Sequence, residues 1–151
     1  MKMDLKQFNN EIVDYQKDDF YITSDSRKID VDVVCSLLKE SYWANTRERD
    51  VIIKSFENSL CFSLFHKDKQ IGFTRVITDC ATFAYLCDVI ISNKYRSSGL
   101  GQWLIKCVFK HPDLENLRRW VLITRDAQEF YKKYGFTSLD APERYMEIFN
   151  G

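Results

Sequence analysis

Eight consecutive residues, Tyr95-Arg96-Ser97-Ser98-Gly99-Leu100-Gly101-Gln102, carry the most legible chemistry in this sequence. They lie between an apolar run that ends at Ile91 and a stretch in which Leu100, Leu104, Ile105, Val108 and Phe109 recur at helical spacing. A glycine-bearing turn from strand into helix presents several unpaired backbone N–H groups where about half a positive charge resides, so it suits a phosphate or pyrophosphate. Gly99 and Gly101 let the backbone approach a ligand with no Cβ in between, and Arg96 adds a charge-assisted contact. No Lys-Ser or Lys-Thr follows Gly101 and no Gly-x-Gly-x-x-Gly occurs, which excludes a nucleotide-hydrolysing P-loop and a dinucleotide fold.

Asp88 is the one ionised residue in the run from Phe83 to Ile91. Simple alternation places it on one face with Leu86 and Ile90, where a carboxylate is costly unless it is paired or used. Burial would lift its pKa toward the range of a general base, or it would anchor an ammonium group; a structural ion pair or helix-cap bond is an equal alternative. His66 ends a strand candidate and His111 precedes a proline, so both read as surface residues, and neither a metal site nor a Ser-His-Asp arrangement can be assembled from them. The five cysteines are odd in number and show no C-x-x-C spacing, as reduced core residues of a cytoplasmic protein would.

These groups must be positioned by one domain, 1–151, with residues 1–18 expected to fray, because 151 residues and 15% aromatics suffice for a single core. Lys plus Arg equal Asp plus Glu at 22 each, so no net field draws the chain to nucleic acid or to an anionic membrane. The N-terminal stretch lacks the apolar segment of an export signal. Phe20–Thr23 reads as a strand, Asp30–Trp43 as a helix capped by Asp30, and a second helix follows a Thr46 cap. Leu60–His66 and Ile71–Thr78 form a hairpin about the polar turn Lys67-Asp68-Lys69-Gln70, and Ala81–Ile91 completes an antiparallel meander. After the helix that begins near Leu100 come a strand over Arg118–Thr124, a short helix over Asp126–Tyr134 closed by Gly135, and a last strand over Arg144–Phe149. The order β-α-α-β-β-β-α-β-α-β implies an α/β domain, a mixed sheet with helices on both faces.

The segment Ile91-Ser92-Asn93-Lys94-Tyr95-Arg96-Ser97-Ser98-Gly99-Leu100-Gly101 resembles the coenzyme A signature of the GNAT acetyltransferases, written V-x-P-x-Y-R-G-x-G-x-G. Ala127-Gln128-Glu129-Phe130-Tyr131-Lys132-Lys133-Tyr134-Gly135-Phe136 is similar to the family's A-x-x-F/L-Y-x-K-x-G-F stretch. Asn93 replaces the usual proline, Ser97 a glycine, and Thr124 stands where many members carry an asparagine that touches the cofactor. None of these removes a backbone N–H from the turn.

The resemblance implies the GNAT fold, with a splayed parallel strand pair in the middle of the sheet, and acetyl-CoA as cosubstrate without a metal. Arg96, Ser97, Ser98, Gly99, Leu100, Gly101 and Gln102 would hold the pyrophosphate, Val89, Ile90 and Ile91 would offer main-chain groups to the pantetheine, and Thr124 would stand beside it. Tyr131 aligns with the tyrosine that several family members place near the thioester sulfur, where it would donate a proton to the leaving thiolate; among Phe130, Tyr134 and Phe136, core filling is the alternative. Family members carry a base at positions that fall here on Tyr85 and Cys87, opposite in parity to Asp88. A bulge would shift that parity, and a water relay is the other route. The link between the first two helices would wall the acceptor pocket, with Tyr42 and Trp43 to hold an apolar or cationic acceptor and Arg47 a carboxylate; a core aromatic pair followed by a solvated charge run is the alternative. The implied activity is N-acetylation of a primary amine, on a small molecule or peptide, by direct attack in a ternary complex, in a monomer or homodimer. The alternatives are a non-catalytic acyl-CoA-binding module or sensor, and a domain that keeps only the fold.

Overall fold

The computed structural model describes residues 11–151. Their central element is a six-stranded sheet in the order β1-β2-β3-β4-β5-β6, with β1 Asp14–Lys17, β2 Phe20–Thr23, β3 Leu60–His66, β4 Lys69–Thr78, β5 Phe83–Ile91 and β6 Arg119–Val121. The first five pair antiparallel and β5 pairs parallel with β6. The mixed sheet and its meander are as the element order implies. Strand β1 is an addition: Asp14 to Lys17 pair with Thr23 to Phe20, so part of the segment expected to fray is tied into the sheet. The remainder of that expectation, residues 1–10, lies outside the described residues. The turn expected to end at Gln70 is shorter, because Gln70 is buried and its Oε1 accepts from the Asp30 N–H at 2.7 Å.

Helix α1, Val31–Lys39, starts where Asp30 accepts from the Val33 N–H at 3.2 Å. It stops four residues before Trp43, and the cause is Ser41. The Ser41 hydroxyl donates to the Leu38 carbonyl at 2.7 Å and accepts from the Ala44 N–H at 3.1 Å, an ending typical of a side chain that competes with the helix ladder. Tyr42 and Trp43 therefore sit on an irregular turn rather than a helix. Helix α2, Arg49–Glu57, begins after Glu48 rather than Thr46 and buries Ile52 and Phe56.

Two apolar clusters cover the two faces of the sheet. Helices α1 and α2 pack Val34, Leu38, Ile52 and Phe56 against Phe73 and Ile90. On the other face helix α3, Leu100–Phe109, packs Leu104, Ile105 and Val108 against Phe62, Ala84 and Leu86. The short helix α4, Gln128–Lys132, is held by a ring cluster of Phe130, Tyr131, Tyr134 and Phe136 with Phe109, and Gly135 (φ 95°) ends it by donating to the Lys132 carbonyl.

The expected strand at Arg144–Phe149 is corrected. A 3-10 turn occupies Pro142–Arg144, and beyond it Met146 and Ile148 are 98% and 91% exposed with no strand among the described residues to pair with. Alternation is a local signal, whereas a strand requires a partner. Among the described residues no helix is long and apolar enough to cross a membrane.

The feature that shapes the site is a mismatch of lengths. Strand β5 runs nine residues but meets β6 only at Phe83, Ala84 and Tyr85, so from Leu86 to Ile91 its edge on that side has no strand partner among the described residues. Buried main-chain polar groups require partners, and an edge of this kind is open to a ligand.

Candidate active site

The turn after β5 builds the first half of the site. Ser97 and Gly99 both adopt left-handed backbone (φ 63° and 80°), and Trp103 N–H to Gly99 O, at 3.1 Å, is the first bond of α3. The N–H groups from Ser97 to Gln102 consequently have no acceptor among the described residues. Gly99 needs its conformation. Gly101 does not: a Cβ there would meet Phe130 and Ile91 at ordinary distances of 3.9 and 4.0 Å. The bare chain would accommodate alanine at 101, so the space beside Gly101 is not spent on packing.

This turn opens into a cleft of about 570 Å³ whose other walls are Val89 to Ile91, Ser41 to Trp43 and Phe130. Of the residues expected to hold the cofactor, Arg96, Ser97, Gly99, Leu100, Gly101 and Gln102 line it. Ser98 does not; its hydroxyl donates back to the Tyr95 carbonyl and braces the turn. Ser92 N–H bonds Ile71 O at 2.7 Å, and antiparallel alternation then turns the main chain of Ile90 toward β4 and those of Val89 and Ile91 toward the cleft. Arg96 Nε donates to Ile91 O at 3.2 Å across that open edge. Thr124 lies outside this cleft, and its Oγ1 accepts from the Ala127 N–H at 3.1 Å.

A second cavity, of about 500 Å³, lies beside the first and shares Tyr42, Trp43, Val89 and Asp126 with it. It brings together the expected Tyr42, Trp43, Arg47, Asp88, Thr124 and Tyr131. The Tyr42 hydroxyl accepts from Arg125 N–H at 3.1 Å, and the Arg125 guanidinium lies 3.7 Å from the centre of its ring.

Asp88 sits in a bulge. Arg75 pairs with Cys87 but Phe73 pairs with Ile90, so β5 holds one residue more than β4 between those pairs, and Asp88 takes φ 53°. The bulge breaks the simple alternation: Leu86 packs on the α3 face and Ile90 on the α1–α2 face. Its Oδ2 accepts from Arg75 Nε at 2.6 Å and Arg47 Nη1 at 2.8 Å, and its Oδ1 accepts from Trp43 Nε1 at 2.9 Å. Burial raises the carboxyl pKa, but Arg75 and Arg47 together outweigh it and hold the group below its ordinary value. The expectation of a raised pKa is thereby overturned. Asp88 is a locked carboxylate that positions Trp43 and Arg47, not a base tuned to neutral pH.

Tyr131 projects from α4 against Phe130 and Phe136, at ring separations of 5.0 and 5.9 Å. Its hydroxyl has no hydrogen-bond partner among the described residues, and burial, with a smaller contribution from Tyr42, pushes its pKa up to about 12. The phenol is therefore protonated throughout the neutral range. Cys87, in the same wall, is pushed up to about 11, chiefly by burial.

Arg75 was missed from sequence. The signal was present, since two consecutive strands, β4 within Ile71–Thr78 and β5 within Phe83–Ile91, each contain a single charged residue, of opposite sign. The histidines correct the surface reading. His111 is fully buried, its Nδ1 accepting from Asp113 N–H at 3.1 Å and its Nε2 bonding Glu11 O at 2.8 Å. His66 is half-buried, stacked on Phe20 and 2.8 Å from the Tyr95 hydroxyl.

The family described as "Acetyltransferase (GNAT) domain" matches residues 57–138. A crystal structure from Xanthomonas campestris pv. campestris, assigned to the GNAT family as an acetyltransferase of unproven activity, is 36% identical, covers 87% of this chain and 93% of its own, and superposes with a TM-score of 0.84. A Gibberella zeae protein named for an assumed acetyltransferase activity is 26% identical, over 79% of each chain. The N-acetylglutamate synthase of Neisseria gonorrhoeae, solved with coenzyme A and N-acetylglutamate, shares the fold at 15% identity and a TM-score of 0.64, over 76% of this chain and 27% of its own.

Proposed function

Because the chain belongs to the GNAT acetyltransferase family, we propose that it is an acetyl-CoA-dependent N-acetyltransferase acting on a primary amine of a small molecule or peptide. The observation that carries the reading is the meeting of two main-chain surfaces in one cleft, the N–H groups of Ser97 to Gln102 and the edge of β5 at Val89 and Ile91, which has no strand partner among the described residues and is met there only by Arg96 on the Ile91 carbonyl. The first suits a pyrophosphate at a helix N-terminus and the second suits the amide groups of a pantetheine arm. A fold neighbour was solved holding coenzyme A, and that supports the same use of the fold here.

The arm directs the thioester toward Val89, which lines both cavities. The amine enters from the second cavity and attacks the acyl carbon directly, and the carbon–sulfur bond breaks as the carbon–nitrogen bond forms. Tyr131, protonated throughout the neutral range, donates its proton to the departing sulfur and regains one from the attacking nitrogen as the adduct collapses to the amide, so that the phenol ends as it began. An alkylamine of pKa ~10.4 costs roughly 4 to 5 kcal/mol to deprotonate at pH 7. With Asp88 locked by two guanidiniums and Cys87 held as a thiol, water carries that proton out of the pocket. A second reading, acyl-CoA binding without transfer, is favoured by that same absence of a tuned base among the described residues. Thiol release from acetyl-CoA across a panel of amines, amino acids and peptides tests between them. The proposal expects amine-dependent release, and a folded protein that binds acetyl-CoA but transfers to none of them supports the sensor instead.

A further inference from the structure

Two guanidiniums share one carboxylate at the floor of the second cavity. Arg75 and Arg47 both donate to Asp88 Oδ2, and their side chains are 11% and 23% exposed. The cluster therefore carries one positive charge in excess. Neighbouring groups do not offset it: Cys87 and Cys61 are thiols with pKa values pushed up to about 11 and about 12, chiefly by burial, and Asp126 is turned to Arg125 at 3.6 Å on the exposed rim. A poorly solvated charge without a counter-ion is unfavourable, and here it faces space rather than protein. Arg75 is spent on Asp88 and on the Ser59 hydroxyl, which Nη1 meets at 3.1 Å, whereas Arg47 uses only Nη1 among the described residues.

Resting on the acetyltransferase reading, we infer that the acceptor is an amine that also bears a carboxylate, an amino acid or a peptide end, and that Arg47 receives the carboxylate. One carboxylate matches the excess of one positive charge, and its two oxygens match the planar fork of a guanidinium. A phosphate, which brings close to two charges, would leave the cluster negative. With the carboxylate on Arg47 the rest of the molecule extends across the cavity toward Val89 and Tyr131, where the amine meets the thioester. Trp43, held by Asp88, and Tyr42, held by Arg125, fix the wall between the two ends.

The test uses the full chain and two readouts. In the first, amino acids are compared with their own amides as acceptors; the expected kcat/KM ratio is at least about tenfold in favour of the acids, the usual scale of a charge-assisted bond. In the second, binding of N-acetylated amino acids and of their amides is measured by NMR titration with no chemistry required, and the acids are expected to bind at least about tenfold more tightly. Arg47→Gln is expected to collapse both ratios toward one, with Arg47→Lys recovering part of the preference. Equal use and equal binding of acids and amides overturns the inference while leaving the acetyltransferase reading intact, as does a preference for amines that carry phosphate. Acid-selective binding lost in Arg47→Gln supports the carboxylate site even where no transfer is detected, a result that would count against the transferase reading alone.

Discussion

The two cavities that share Tyr42, Trp43, Val89 and Asp126 are built in opposite ways. The cleft beside α3 is made mostly of main chain from two short segments, 89–91 and 95–102, and its polarity comes from N–H groups that folding leaves unpaired. The neighbouring cavity is made of side chains from four distant places, Tyr42 to Arg47, Arg75, Asp88 and Tyr131, and its polarity is a buried set of charges. A main-chain site tolerates sequence change as long as the turn persists. A side-chain site depends on each member, and each is a separate point of failure. The comparison teaches where mutation should harm stability and where it should harm only binding.

The sharpest contrast is expected at Asp88. Asp88→Ala leaves Arg75 buried without its partner, and removal of one member of a buried ion pair typically costs about 3 to 5 kcal/mol, which urea unfolding will register. The same pair predicts an acid limb. The folded-state pKa of Asp88 is lowered, so its stabilisation is fully present above the ordinary carboxylate pKa of roughly 3.9 and is lost as pH falls below it. Asp88→Asn should accordingly show a flatter loss of unfolding midpoint between about pH 5 and pH 3 than the wild type.

Tyr131 should separate chemistry from packing. Its hydroxyl has no partner to lose, so Tyr131→Phe is expected to melt close to the wild-type temperature and to bind acetyl-CoA about as well. Its turnover should fall by about 10²- to 10⁴-fold, the usual worth of a general acid. Full turnover at saturating substrate would end the assignment.

Gly101 should show the main-chain behaviour. Its environment accepts a Cβ, and alanine is favoured over glycine in a helix, so Gly101→Ala should be more stable by about 0.5 to 1 kcal/mol and yet bind coenzyme A more weakly. A gain in both would place the cofactor elsewhere. Gly99 is a poorer probe, because a β-branched residue at φ 80° is strained whether or not a ligand binds. The smallest effect is expected at the C-terminus, where Ile148→Ser should change stability by no more than about 0.5 kcal/mol.

The same division explains what the sequence disclosed. The turn at 95–102 was legible because a phosphate-holding turn of the proposed kind would need only local conformation, two glycines and a following amphipathic helix. The meander and the crossover were legible from periodicity for the same reason. The bulge at Asp88 was not, since the extra residue is defined only by its register with β4, and the pairing with Arg75 depends on which strand lies alongside. Strand β1 is short and polar and gave no periodic signal, while Arg144–Phe149 gave a periodic signal without a partner strand. His111 looked exposed beside a proline, yet the loop closes over it and satisfies both ring nitrogens.

The measurement that bears most directly on the central claim is a calorimetric titration of coenzyme A into the folded wild-type chain and into Gly101→Asp. Saturable one-to-one binding is expected for the wild type and at least about a tenfold weaker constant for the variant, whose added carboxylate would stand against the pyrophosphate. A folded wild type that binds no coenzyme A, or a variant that binds it equally well, would contradict the account.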